Sequence, residues 1–168
     1  YDYQQQREEF YNQMLFPAKA ERFQKWFALN EEKTIRSMIP VTFKNIRFGD
    51  NRNEIIRRLD KPRFDMIKNE MALPYRILFY RDFHNGISIV SQAHLLDDVF
   101  FFGCHVFQNL EQSRFIAIKS MVIQKYANIN GDSHLKYDKI IDESNNKIFF
   151  EDNVILKICY LTGDEMVK

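Results

Sequence analysis

Chemistry in this chain would have to come from four histidines, two cysteines and three adjacent acidic pairs. His84, His94, His105 and His134 fall in turns, loops or strands. None has the H-x-x-x-H or H-E-x-x-H spacing that places two imidazoles on one helix face for a metal. Cys104 adjoins His105, the residue types of a thiolate–imidazole pair, but neighbours on a strand point to opposite faces, so the two diverge. Cys104 and Cys159 each sit in an apolar run, outside any C-x-x-C or Cys/His zinc spacing. Two buried free thiols is the plainer reading, and a single disulfide formed in an oxidising compartment is the other. Ser91, Ser120 and Ser133 lie in no G-x-S-x-G elbow, and the five glycines form neither a phosphate loop nor a dinucleotide fingerprint. Asp97-Asp98, Asp142-Glu143 and Glu151-Asp152 have the chemistry to hold a hard cation or shuttle protons. Each falls at a predicted turn, where acids are favoured for local hydrogen bonding alone. The residues therefore predict no catalytic, metal-binding or cofactor-binding set.

Two surface features point instead to recognition. Lys44, Arg47, Arg52, Arg57, Arg58, Lys61, Arg63 and Lys68 lie among only Asp50, Glu54, Asp60 and Asp65. If several share a face they would meet an acidic partner or anionic headgroups; a solvated helix face is the plainer reading. Phe100, Phe101 and Phe102 cannot all face one core, because strand alternation sends Phe101 opposite to its neighbours, and the same holds for Phe149-Phe150. Either the N-terminal helices cover that second face or it is a binding surface. With Phe101, Phe149, Arg57, Arg58 and Trp26 as partner-binding residues, Phe101→Asp is expected to weaken partner capture and leave the fold intact.

These side chains must be held by one compact unit, since 168 residues suffice for one well-buried core and not for two independent domains. Hydrophobic residues make up 45%, with 16 Phe, 8 Tyr and one Trp, so burial can offset chain entropy. Lys and Arg number 24 against 23 Asp and Glu, a net charge of +1, which removes the electrostatic argument for a nucleic-acid binder. No run of about 18 apolar residues exists to span a membrane. Tyr1 in place of methionine fits removal of an upstream segment, whether export signal, anchor or purification tag.

In chain order, residues 4–15 favour helix, with Phe10 and Met14, then Tyr11 and Leu15, four apart. Phe16-Pro17 interrupts, and residues 18–38 resume in helical character, with Phe23, Trp26 and Phe27 on one side. Residues 41–48 suit a short strand or an extended lead-in. Gly49, then Asp50-Asn51 as capping residues, then Ile55, Ile56 and Leu59 at helical spacing mark a short helix that Lys61-Pro62 stops. Residues 63–71 are ambiguous. Residues 75–83 and 87–93 form a hairpin around His84-Asn85-Gly86, because Asn-Gly readily takes the positive φ angles of a two-residue turn. After a turn at Leu96-Asp97-Asp98, residues 99–107 form a third strand, in which Gly103 suggests a bulge or a close backbone approach. Residues 110–126 read as a second helix, with Phe115, Ile118, Met121, Val122 and Lys125-Tyr126 on one face. Strands are expected at 135–141, 147–150 and 154–161.

At Phe48-Gly49, Glu54-Ile55, Leu59 and Lys61-Pro62 the sequence resembles the repeat opening of small bacterial envelope proteins, the β-lactamase-inhibitor-like proteins and the outer-membrane-assembly small lipoproteins. The second half matches through Lys125-Tyr126, with Ala127 where a glycine is usual, and through residues 148–160. Leu59-Asp60 departs from the pattern, in which a glycine commonly follows that leucine. The resemblance covers residues 46–161 and implies an exported, non-catalytic module that binds proteins through a sheet.

The expected fold is α+β: an N-terminal helical arm (1–38), then tandem helix-plus-meander repeats (39–109 and 110–168) forming one antiparallel sheet with helices on one face. The expected function is a non-enzymatic protein-interaction module of the periplasm or cell envelope, without cofactor or metal. The alternatives are a binding protein for a small apolar ligand, in which the helical arm closes a cone-shaped sheet, and an enzyme of unrecognised family, with the cytoplasm as the alternative compartment.

Overall fold

The computed structural model describes residues 3–14, 33–68, 72–127, 136–152 and 155–163. Its elements run α1 (Tyr3–Met14), β1 (Thr34–Arg36), α2 (Arg52–Leu59), β2 (Phe64–Lys68), β3 (Tyr75–His84), β4 (Ile87–Leu96), β5 (Val99–Gln108), α3 (Gln112–Ala127), β6 (Lys139–Ile141), β7 (Lys147–Asp152) and β8 (Leu156–Leu161). One eight-stranded sheet has the order β1-β6-β7-β8-β5-β4-β3-β2, antiparallel throughout except for the β1–β6 pair.

Turn chemistry sets the register of the three long strands. Asn85 and Gly86 both take positive φ (50° and 78°), as do Asp97 and Asp98 (50° and 62°), so each hairpin closes with a two-residue turn whose twist matches that of its strands. β3 and β4 then pair over their full length, from Tyr75 opposite Leu96 to His84 opposite Ile87. Between β4 and β5 the register slips once: His94 faces Phe102 while Leu95 faces Phe100, so Phe101 is a bulged extra residue.

Two apolar layers follow from the alternation. On one face Leu78, Ala93, Phe100, Phe107, Ile140, Ile148, Ile158 and Tyr160 pack with Ile55 of α2 and with Phe115, Ile123 and Tyr126 of α3. On the other, Ile77, Phe79, Phe102, Cys104, Val106, Phe149, Cys159 and Leu161 pack with Tyr11 of α1. Tyr11 stacks on Phe64 (centroids 5.1 Å apart) and lies 4.8 Å from Phe79. α2 and α3 thus share one face, as expected of the helices after the N-terminal arm, and α1 packs on the other, the first of the two alternatives left open for the second face. The aromatic β5 has no solvated side, and α1 supplies rings to the second face.

Two local expectations are corrected. Thr34–Arg36, assigned to the helical arm, is a strand, because Ile35 is buried beside Ile140 and pairing with β6 satisfies its backbone. The stretch 41–48 is not a strand: Lys44 and Asn45 take positive φ (51° and 65°), folding Phe43 back on Ile46 so that both side chains enter the core. α2 begins and ends as the residues suggest. The Asn51 side chain accepts from the Glu54 N–H at 2.9 Å, Asp98 Oδ1 accepts from the Arg52 N–H at 3.0 Å, and the positive φ of Asp60 ends the helix.

Candidate functional site

An open cleft of about 810 Å³ lies between α3 and the sheet face formed by β3, β4, β5 and β8. Alternation and helical spacing each put one wall in place. Ile87, Ile89, His105, Phe107, Ile158 and Tyr160 point from the sheet; Arg114, Ala117, Ile118, Met121, Val122 and Lys125 recur at three- and four-residue steps along α3. Phe115, Ile123 and Tyr126 anchor the neighbouring stripe of the helix in the core. Tyr126 also fastens α3 to the 41–46 loop, its hydroxyl donating to the Thr42 carbonyl at 3.2 Å. Lys44, Asp82, His84 and Asn85 complete the lining.

Phe43 sets the inner polar corner of the cleft. Its ring stacks on His105 (centroids 4.6 Å apart) and meets Tyr160 edge-on at 5.2 Å. Gly103 allows this approach, since a Cβ there would come within 2.7 Å of the Phe43 ring. His105 and Tyr160 are themselves 5.6 Å apart, edge to face. His105 Nδ1 lies 2.7 Å from Ser91 Oγ. Ser91 is fully buried and its hydroxyl has no other acceptor among the described residues, which assigns it as donor to Nδ1 and the His105 proton to Nε2. Among the described residues neither His105 Nε2 nor the Tyr160 hydroxyl has a hydrogen-bond partner.

Burial holds both groups neutral. It lowers the His105 pKa to about 3, with nearby Lys44 acting in the same direction and Asp82 against it. It pushes the Tyr160 phenol well above its ordinary range. Lys44 Nζ contacts Asp82 Oδ2 at 2.6 Å at the margin of the cleft. The corner thus offers two neutral donors beside an ion pair. A buried serine donating to a histidine of such low basicity is poorly suited to nucleophilic catalysis, which needs an exposed hydroxyl and a base near neutrality.

The residues singled out from the sequence do not gather here. Phe101 and Phe149 are each 2% exposed in the opposite apolar layer, where the Phe101 ring lies 5.8 Å from that of Tyr75. The bulge brings Phe101 and Phe102 into the same layer, their centroids 6.5 Å apart, against simple alternation. Arg57 and Arg58 are exposed on α2; Arg57 pairs with Glu54, and Arg58 donates to the Asn45 carbonyl at 3.1 Å. Arg52 and Arg76 both reach Asp65, tying α2 to β2 and β3 rather than offering charge to a partner. Trp26 and His134 lie outside the described residues.

Of the other chemistry-bearing residues, Cys104 and Cys159 face each other across β5 and β8 as free, fully buried thiols, Sγ to Sγ 3.7 Å. Burial, with Cys104 beside it, pushes the Cys159 thiol up and away from a thiolate. Cys104 and His105 lie on opposite faces, as alternation requires. Asp142 is a loop organiser, its carboxylate accepting from the backbone N–H groups of Val41 (2.8 Å), Ser144 (2.9 Å) and Asn146 (2.9 Å). His94 is bonded on both ring nitrogens, to the Tyr75 hydroxyl at 2.6 Å and to Gln92 Oε1 at 3.0 Å. No three His, Cys, Asp or Glu side chains converge among the described residues as a metal site would require.

The sequence reading missed the cleft because its walls come from β3–β5, β8 and α3, distant in the chain. The one visible signal was His105, a polar residue inside the run Val-Phe-Phe-Phe-Gly-Cys-His-Val-Phe. Fold and site together define an α+β protein with an open, mainly antiparallel sheet and an apolar cleft under one helix. Comparison with protein-family models, curated proteins and solved structures returns no match. Among the described residues no helix is long and apolar enough to cross a membrane.

Proposed function

We propose that the protein binds a small, largely apolar molecule in the cleft between α3 and the sheet, without catalysing its conversion. One observation carries this reading: the cleft has the size of a small-molecule site, apolar walls, and at its inner corner two polar groups, His105 Nε2 and the Tyr160 hydroxyl, without a hydrogen-bond partner among the described residues. Helix α3 forms its roof; the described part of the N-terminal arm, α1, packs on the opposite face. Docking a protein through Phe101 and Phe149 would require both rings to leave a packed layer, and Arg57 and Arg58 are already engaged within the chain. The cleft needs no such rearrangement.

Tandem duplication fits the same architecture as a proposal of origin. α2 and α3 lie on one face, each leads into an antiparallel strand series, and the last strand of each series, β5 and β8, meet at the centre of the sheet.

The test is binding of N-phenyl-1-naphthylamine, a neutral apolar fluorophore, to the whole chain. Saturable one-to-one binding is expected, and Ile118→Trp, which fills the cleft from α3, is expected to weaken it at least tenfold with the thermal midpoint nearly unchanged. Absence of saturable binding by the unsubstituted protein would refute the proposal.

A further inference from the structure

We infer that the occupant of the cleft is an amphipathic carboxylate of medium chain length, its head group received at the corner formed by Tyr160, His105 and Lys44 and its chain lying along α3. This rests on the proposed binding role and adds the chemical class of the ligand.

The corner is built of donors. The Tyr160 ring is buried and its hydroxyl has no hydrogen-bond partner among the described residues. His105 keeps Nδ1 occupied by Ser91 and presents Nε2–H. A head group that only accepts hydrogen bonds satisfies both; one that must also donate leaves its own hydrogen unpaired against two donors. Charge selects among acceptors. Lys44, Arg114 and Lys125 line the cleft against a single acid, Asp82, which Lys44 already pairs at 2.6 Å. Arg114 donates to the Asn85 carbonyl at 3.4 Å, and Lys125 lies over the Tyr126 ring at 5.2 Å. Counting Lys44, Arg114 and Lys125 against Asp82, the lining carries two more positive charges than negative ones, and a carboxylate is the small organic acceptor that complements that excess. The rest of the lining is apolar: Ile87, Ile89, Phe107 and Ile158 from the sheet, Ile118 and Val122 from α3. An unbranched chain of about ten carbons, near 1.25 Å per bond, would extend about 11 Å, beneath nearly half of α3, whose 16 residues span about 24 Å.

Titration of the whole chain with decanoate and with decanol, near neutral pH and low ionic strength, separates the possibilities. The expected result is that decanoate binds at least tenfold more tightly than decanol. Tyr160→Phe and Lys44→Gln should each remove most of that preference while leaving decanol affinity within about threefold. Tyr160→Phe deletes a hydroxyl that bonds nothing among the described residues, so its thermal midpoint should match that of the unsubstituted chain, which guards against a folding artefact. Equal binding of the two probes overturns the carboxylate inference and leaves the cleft as a binding site. A decanoate preference that both substitutions leave intact overturns the placement of the head group. Failure of both probes and of the neutral fluorophore removes the binding role itself.

Discussion

Phe101→Asp is expected to unfold the protein or to cost at least about 4 kcal/mol, because it removes a buried ring and places a carboxylate in an apolar layer. The sequence alone suggested the reverse, a surface substitution that spares the fold. The difference lies in the second apolar layer and in the bulge. Alternation correctly sent Phe101 away from Phe100, but the second face is an apolar layer of its own, and the extra residue at the bulge places Phe101 beside Phe102 within it. Against a total stability of about 5–15 kcal/mol, such a loss leaves a large unfolded fraction. Phe101→Leu, which keeps most of the volume, should cost about 1–2 kcal/mol. Arg57→Ala, at an exposed ion pair, should change stability by no more than about 0.5 kcal/mol. Urea denaturation of the three variants checks this order; Phe101→Asp melting with the unsubstituted protein would show that the second face is open.

Acid should destabilise the fold well before carboxylates alone would account for it. His94 is fully buried between Tyr75 and Gln92, and burial, aided by nearby Lys68, lowers its pKa to about 3. His105 is lowered to a similar value. In the unfolded chain both imidazoles return to about 6.5. Between those values the unfolded state binds more protons than the folded state, so stability rises with pH across the window. The contribution is fully present above about pH 6.5 and is lost progressively as pH falls towards 3. Two rings shifted this far amount to several kcal/mol, on the order of the whole stability of a domain. Urea midpoints measured from pH 7.5 to 4 should fall steeply, and side-chain NMR should show two imidazoles that stay neutral down to about pH 4 in the folded protein. A flat midpoint over that range would contradict the buried, neutral assignment.

Legibility of the fold followed the range of the forces involved. The Asn85-Gly86 hairpin, the helix capped by Asn51 and the helix carrying Phe115 are written in local residues, since turn dihedrals, caps and helical spacing are decided within a few positions. Thr34–Arg36 was taken for helix because its strand character comes from pairing with Lys139–Ile141, about a hundred residues away. The turn at Lys44-Asn45 was missed because its two positive φ angles are offset by burial of Phe43 and Ile46 rather than by glycine. The site was the least legible part. Exposed aromatics were sought where the chain buries them, and the cleft depends on a gap between α3 and four strands that no single segment encodes. Gly103 was read as a bulge or a close approach; it is the second, and the ring it admits, Phe43, shapes the corner of the cleft.

The most direct measurement is methyl NMR of the whole chain during titration with N-phenyl-1-naphthylamine. A ligand in the cleft should shift the resonances of Ile89, Ile118, Val122 and Ile158, and leave those of Val90, Val106 and Leu161 on the opposite face unmoved. Shifts confined to the opposite face, or none at saturating probe, would contradict the account.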